Sequence, residues 1–234
     1  MKRLLSLIPV LLLVGLPTAI QAQHPASAKK LVKKGIALFA KGDIAGAITE
    51  FDQALLEDPK LAAAYLNRGN AKRAAGDLDG AIADYEAAEE LDPHLIHDNR
   101  DIAQTYLARG FQRSNRLELD SALSDLNRAI ALNPDDAEGY FKRGRAWLID
   151  GNIDLALADF DKSISLNSHN PLAFAERGFA HQERGEKKAA EEDFARSFKL
   201  SNELRITIEL HLFELQLQIK EMRRRQAAIH RNIA

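Results

Sequence analysis

Apolar and small residues recur along this chain at intervals of three and four, which is the spacing of one face of an α-helix. The pattern is itself repeated at a fixed period, which glycine marks. Successive marker glycines are 34, 41, 34 and 34 residues apart, so one interval carries an insertion of seven residues. The markers are Gly35, Gly69, Gly110, Gly144 and Gly178. A fixed period of this length predicts an array of stacked helical units.

The period divides residues 28–204 into five blocks of 34 positions, with Gly at position 8 of each block. The blocks are 28–61, 62–95, 103–136, 137–170 and 171–204, and the insertion is 96–102. Position 20 is Ala in every block: Ala47, Ala81, Ala122, Ala156 and Ala190. Position 24 is aromatic or Leu: Phe51, Tyr85, Leu126, Phe160 and Phe194. Small residues at positions 8 and 20 allow two helices of one block to approach closely.

The middle of each block predicts a turn between two helices. Gly followed by Asp or Asn, as in Gly42-Asp43 and Gly151-Asn152, provides a helix C-cap and then an N-cap. Leu117 stands where the other blocks have this Gly. Each helical hairpin buries only part of its apolar surface alone, so stacking of neighbours completes the core.

These positions closely resemble the tetratricopeptide (TPR) repeat, a helix–turn–helix unit of 34 residues. The resemblance covers residues 28–204. It implies an all-α fold: an α–α superhelix, or solenoid, of five TPR hairpins plus a long C-terminal capping helix. It also implies a protein–protein interaction scaffold or adaptor that is not an enzyme and uses no cofactor. In this family the first helices of the repeats line a concave groove that holds peptides or helices of partner proteins.

The resemblance places positions 5, 9 and 12 of the first helices in this groove. A largely apolar groove suits an amphipathic helix or an apolar extended segment. The alternative is that several of these side chains contact neighbouring helices. The implied groove residues are Val32, Ile36, Phe39, Leu66, Asn70, Arg73, Leu107, Phe111, Phe141, Arg145, Leu148 and Phe179.

Charged residues also recur at fixed positions, basic at position 7 and acidic at position 23. The basic residues are Lys34, Arg68, Arg109, Arg143 and Arg177. The acidic residues are Glu50, Asp84, Asp125, Asp159 and Asp193. The two positions lie on partner helices of one hairpin, so we expect a ladder of structural ion pairs within a repeat or between neighbours. Partly buried Arg–carboxylate pairs fix the register of helices more than they add stability.

The insertion at 96–102 adds two helical turns, and we expect it to extend the first helix of repeat three from near His94. His94 and His97 are three residues apart, and Asp98 and Asp101 are close in sequence. A metal site there is the alternative to a solvated helix extension, and we favour the extension.

Residues 205–234 predict a capping helix with a basic tail, although their alternation at first suggests a strand. On a helix the apolar residues fall into two stripes. The first stripe continues the repeat pattern and is expected to pack on repeat five: Leu204, Ile208, Leu212, Leu215, Ile219 and Met222. The second is expected to face the groove as a tail interface, for a partner or for a homo-oligomer: Ile206, Leu210, Phe213 and Leu217.

Residues 1–22 have the pattern of a secretory signal peptide, with Lys2 and Arg3 before an apolar run and a cleavage site before Gln23. The alternative is an uncleaved anchor helix, for which the run is short. Cleavage predicts an exported protein of bacterial type, periplasmic or secreted, with no stable membrane span.

Composition narrows the remaining function classes. The chain has 234 residues, 46% of them hydrophobic, and a formal net charge of −2. These values are not typical of a disordered chain or of a dedicated nucleic-acid binder. The absence of Cys excludes disulfides, Cys-ligated metals and thiol nucleophiles. The seven His residues are scattered, and no phosphate loop or HExxH motif is present, so we expect neither an enzyme nor a metal protein. The expected partner is a protein or peptide.

Overall fold

The computed structural model describes residues 25–96, 99–201 and 205–233, and over these ranges it contains eleven α-helices and one short 3-10 helix. The predicted signal segment 1–22 lies outside the described residues, as do His97, Asp98 and Leu204. The 3-10 helix is Pro93–Leu95. The α-helices are α1 (Pro25–Ala40), α2 (Ile44–Glu57), α3 (Ala62–Ala74), α4 (Leu78–Leu91), α5 (Arg100–Asn115), α6 (Leu119–Leu132), α7 (Ala137–Asp150), α8 (Ile153–Leu166), α9 (Pro171–Arg184), α10 (Lys187–Leu200) and α11 (Arg205–Ile233).

Helices α1 to α10 form five antiparallel hairpins that stack in chain order. Each odd-numbered helix packs against the next even-numbered one, and each even-numbered helix from α2 to α8 packs against the first helix of the following hairpin. The predicted all-α solenoid of five hairpins is therefore confirmed. Each block of the sequence pattern corresponds to one hairpin.

The turns inside the hairpins follow from glycine and from capping side chains. Gly42 adopts a φ of 83° and Gly151 a φ of 93°, in the left-handed region that lacks a steric penalty only for Gly. The Asp43 carboxylate then accepts a hydrogen bond from the Gly46 backbone N–H and caps α2. Leu117 adopts the same region with a φ of 62°. Its side chain packs against the apolar cluster of repeats four and five, which offsets the backbone strain.

Close helix approach at position 8 explains the glycine that marks the period. A Cβ atom built on Gly69 would lie 2.6 Å from Cε1 of Tyr85 and 3.1 Å from the Ala81 carbonyl oxygen. The same approach recurs in the fourth hairpin, where a Cβ on Gly144 would lie 2.9 Å from Cε1 of Phe160. These aromatic rings are almost fully buried, so they form the core between the two helices of a hairpin.

The prediction that the insertion extends the first helix of repeat three from near His94 is wrong. Asp92 caps the 3-10 helix that begins at Pro93, and α5 begins only at Arg100. The Asn99 side chain accepts hydrogen bonds from the backbone N–H groups of Asp101 and Ile102, and this cap sets the start of α5. Ile96 is 1% exposed and anchors the insertion in the core of repeats two and three.

The predicted long C-terminal helix is present as α11, but the structure corrects its position. A cap that continued the stack would pack mainly on α10. Helix α11 instead packs mainly against α7 and α9, the first helices of hairpins four and five. It therefore lies across the face that the first helices form. The apolar and charged groups of this face, described below, provide the contacts that hold the helix there.

Candidate protein-binding groove

The ten residues of the predicted charge ladder meet in five pairs, each within one hairpin. In the first pair the Lys34 Nζ atom lies 2.6 Å from Glu50 Oε1. In the other four pairs an Arg donates two hydrogen bonds to an Asp, from Nε and from Nη2, at 2.6 to 2.9 Å. These pairs are Arg68–Asp84, Arg109–Asp125, Arg143–Asp159 and Arg177–Asp193.

The third nitrogen of each guanidinium also links the hairpin to the preceding one. Arg68 Nη1 lies 2.6 Å from Asp52 Oδ1, and Arg177 Nη1 lies 2.7 Å from Asp161 Oδ1. Hydrogen bonds to the carboxylate of its own hairpin raise the pKa of Arg68 above its ordinary value, although burial opposes this. The ladder thus fixes the register both within a hairpin and between neighbours.

The groove is defined here as positions 5, 9 and 12 of α1, α3, α5, α7 and α9. Its part on repeats one to three is uncovered except at the end of α5, where Ser114 is 1% exposed and Gln218 Nε2 of α11 lies 3.5 Å from Asn115 Oδ1. Ile36 is 44% exposed, and Phe39, Leu66, Asn70, Arg73 and Phe111 are partly exposed. Val32 and Leu107 are buried in the core, so these two side chains contact neighbouring helices rather than open groove.

The part of the groove on repeats four and five is covered by α11. The groove residues Phe141, Leu148 and Phe179 are at most 5% exposed. They belong to one apolar cluster with Leu215 and Ile219 of α11, which are 0% and 3% exposed. The intramolecular helix therefore occupies the surface that the sequence assigned to a partner.

A buried polar network accompanies these apolar contacts. Arg145 Nη2 donates a hydrogen bond of 2.9 Å to Gln218 Oε1, and Arg145 Nη1 lies 3.6 Å from Glu176 Oε1. The same Glu176 oxygen accepts a hydrogen bond from His211 Nε2. Glu176 is fully buried and Arg145 is 5% exposed, so both charges depend on these partners.

Sequence analysis missed three members of this network, Glu176, His211 and Gln218. A signal was present, because His211 and Gln218 lie beside Ile208, Leu215 and Ile219 on one helix face. Their polarity matched no repeat position, and no pattern linked them to Glu176, which lies in another helix.

The two stripes of α11 have opposite environments. Ile208, Leu215 and Ile219 of the first stripe are buried. The second stripe was predicted to face the groove, and the structure corrects this: it faces away from it. The exposures of Ile206, Leu210, Phe213 and Leu217 are 73%, 60%, 57% and 50%. The first stripe meets the groove because Gln218 and His211, the partners of Arg145 and Glu176, lie beside it. The second stripe lies on the opposite face of α11 and therefore turns outward.

Comparison with known proteins agrees with this architecture. The family profile described as tetratricopeptide repeat matches residues 32–96 and 102–171, which is more than half of the chain. The chain belongs to the TPR family. TPR proteins are generally non-catalytic scaffolds for protein–protein interaction. A search of curated proteins found no significant match.

Several solved TPR structures share the fold. A crystal structure of MamA is 25% identical, covers 77% of this chain and 95% of MamA, and superposes with a TM-score of 0.59. MamA from Desulfovibrio magneticus RS-1 is 18% identical, covers 76% of this chain and 97% of its own, and has a TM-score of 0.56. YrrB, described as a TPR protein with an unusual peptide-binding site, is 22% identical. It covers 80% of this chain and 92% of its own with a TM-score of 0.62. The last two likenesses show the fold alone.

Within residues 25–96, 99–201 and 205–233, none of the helices combines the length and apolarity needed to cross a bilayer. Over the same ranges, no three His, Asp or Glu side chains come close enough together to hold a metal ion.

Proposed function

We propose that this TPR protein is an exported scaffold or adaptor that binds an amphipathic helix of a partner protein in its groove. The observation that carries the proposal is α11 itself. Its apolar stripe and its polar side chains fill the groove of repeats four and five, so this surface has the shape and chemistry to hold a helix. YrrB, a protein of the same fold, is described as having a peptide-binding site, so this fold can serve peptide binding.

The uncovered groove of repeats one to three offers the accessible part of this surface. It presents apolar side chains such as Ile36 and Phe111 beside the polar Asn70 and the cationic Arg73. The Lys142 Nζ atom lies 3.7 Å from the centre of the Phe111 ring. Apolar positions bordered by a few charges suit one face of an amphipathic helix better than a highly charged segment.

Two substitutions in the uncovered groove are expected to reduce capture of the partner protein. Ile36→Asp combined with Phe111→Asp places two carboxylates on this surface and should lower recovery of the bound protein at least about tenfold, as for loss of hot-spot residues. The measurement is affinity capture from the exported fraction of the native host, with the full chain as bait.

The same bait tests cleavage of the signal segment. Mass spectrometry of the recovered bait should show an N-terminus at Gln23, and a recovered bait that retains Met1 would contradict cleavage.

The matched control is Leu155→Asp on α8, where the native side chain is 49% exposed and lies outside the groove. Leu155→Asp should capture the same proteins as the unmodified chain. An unchanged set of captured proteins in the Ile36→Asp/Phe111→Asp variant would overturn groove binding.

A second candidate function is structural self-association through the outer stripe of α11. Four apolar side chains that are each at least 50% exposed on one helix face favour it. Light scattering of the full chain is then expected to give a mass above that of the monomer, and Leu210→Asp with Phe213→Asp should return it to the monomer. A strictly monomeric full chain would exclude this candidate.

A further inference from the structure

Helix α11 contacts the groove as a bound ligand would, through one narrow face. Ile208, Leu215 and Ile219 are 1%, 0% and 3% exposed, and they occupy positions i, i+7 and i+11 of the helix. Its opposite face carries the exposed stripe described above. An amphipathic helix that docks by a single apolar face is the usual form of a helix-in-groove ligand.

Polar side chains beside this face fix the register of α11 in the groove. His211, at i+3, donates a hydrogen bond to Glu176, and Gln218, at i+10, accepts one from Arg145. A shift by one turn would leave the buried charges of Arg145 and Glu176 without these partners. An unpaired buried charge is costly, so the network selects one register and one pattern of side chains.

Arg145 occupies a groove position of its repeat, as do Phe141 and Leu148. The surface beneath α11 is thus a continuation of the uncovered groove. The surface on which α11 docks is therefore part of the surface that the proposed function assigns to the partner.

We propose that α11 is a resident pseudo-ligand, and that the partner is an amphipathic helix which displaces it and repeats the pattern of its inner face. That pattern has apolar residues at i, i+7 and i+11, a hydrogen-bond donor at i+3 and an amide acceptor at i+10. Arg145 and Glu176 recognise the two polar positions. This inference rests on the proposed function, since it specifies the ligand of the same groove.

A partner that displaces α11 must overcome the advantage that α11 gains from being part of the same chain. A helix joined to its site by a short connection has an effective concentration of about a millimolar. A free helix with the same contacts therefore competes poorly. Contacts with the uncovered groove, for example at Phe111, provide the missing advantage, because α11 does not make them. The structure thus favours a partner that makes contacts beyond the pattern of the inner face of α11.

The experiment uses the full chain and a fluorescein-labelled synthetic peptide of residues 205–233, with binding measured by fluorescence anisotropy. In the unmodified chain the resident helix competes with the peptide. In the Leu215→Asp/Ile219→Asp variant the docking of the resident helix is weakened. The peptide should then bind at least about tenfold more tightly, because a larger fraction of the protein has an open groove. The matched control is Leu210→Asp/Leu217→Asp on the outer stripe, which should bind the peptide as the unmodified chain does.

A second comparison tests whether Arg145 recognises a polar side chain of the bound helix. Adding Arg145→Ala to the Leu215→Asp/Ile219→Asp variant should weaken peptide binding about tenfold, as for loss of a hydrogen bond from a charged group. If the Leu215→Asp/Ile219→Asp protein fails to fold by circular dichroism, His211→Ala/Gln218→Ala replaces it as the variant with a weakened resident helix. Equal peptide affinity in the unmodified chain and the weakened variant would overturn the inference.

The two proposals fail separately. Loss of the natural partner in the Ile36→Asp/Phe111→Asp variant, combined with unchanged peptide affinity in the weakened variant, would retain groove binding and remove the pseudo-ligand role. Peptide binding that tightens in the Leu215→Asp/Ile219→Asp variant and weakens again when Arg145→Ala is added would support the pseudo-ligand role, even if no natural partner were captured.

Discussion

Replacement of Glu176 by alanine is expected to lower the free energy of unfolding by about 3 to 5 kcal/mol, which is the range for removal of one partner from a buried ion pair. Glu176 is fully buried, and Arg145 is 5% exposed beneath α11. Without the carboxylate, Arg145 is a buried cation beside Gln218, His211 and the face of the Phe111 ring, and none of these groups carries a compensating negative charge. Urea unfolding followed by circular dichroism measures the loss.

The control for this prediction lies on the same helix. Glu183 also pairs with an arginine of α11, at 2.6 Å from Arg223, but that arginine side chain is 60% exposed. Glu183→Ala should therefore change stability by less than about 1 kcal/mol. In the double variant Glu176→Leu/Arg145→Met both charges are absent, and most of the stability should return. A loss for Glu176→Ala that is no larger than for Glu183→Ala would contradict the role of the network.

Release of α11 limits how much stability Glu176→Ala can lose. If α11 leaves the groove, water reaches Arg145 and the penalty for its buried charge disappears. The loss therefore cannot exceed the free energy of docking α11. Hydrogen exchange distinguishes the two routes, since release removes protection from α11 amides while α7 and α9 stay protected.

Replacement of Gly69 by valine is expected to destabilise the fold by about 2 to 3 kcal/mol through overpacking. The added Cβ atom would lie 2.6 Å from Cε1 of Tyr85, which cannot move away easily. Tyr85 is 1% exposed, and its hydroxyl donates a hydrogen bond of 3.0 Å to Asn70 Oδ1. The backbone carbonyl of Ala81, at 3.1 Å, blocks the other side. Thermal and urea unfolding both report this change.

An exposed residue of the same helix provides the control. Ala74→Val introduces the same side chain near the end of α3, where it meets solvent, so stability should change by less than about 0.7 kcal/mol. A loss of stability for Gly69→Val that is no larger than for Ala74→Val would contradict the close approach to Tyr85 as the reason for glycine at this position, since helix propensity alone favours Val over Gly.

The repeats could be predicted because their determinants are local and recur. Gly at position 8 and Ala at position 20 face each other across a hairpin, and the charge ladder joins residues 16 positions apart, such as Arg143 and Asp159. Each copy of the pattern repeats the same physical requirement, so five copies in register indicate one architecture.

The position of α11 could not be predicted in the same way. An apolar stripe shows that one face of a helix is buried, but it does not show which surface buries it. The end of the stack and the groove both offer apolar partners to Leu215 and Ile219. The groove is distinguished by the charges of Arg145 and Glu176, whose partners are 73 and 35 residues away in the chain. No repeat pattern encodes pairs of this separation.

The insertion illustrates a different limit. Seven residues match two turns of helix, but length alone does not determine conformation. Asp92 before Pro93 and Asn99 before Arg100 each provide a cap, and two caps so close together divide the segment instead of extending α5.

The docking of α11 in the groove also changes how the chain can fold. In a linear solenoid each unit contacts only its neighbours, so folding can start anywhere and spread, and the contact order stays low. The contact between Arg145 and Gln218 spans 73 residues and closes the C-terminal half into a loop. Hairpins four and five must form before α11 has a surface to dock on, so docking follows the folding of these two hairpins. Once docked, α11 couples these two hairpins into one cooperative unit, while the N-terminal hairpins keep the independence of an open array.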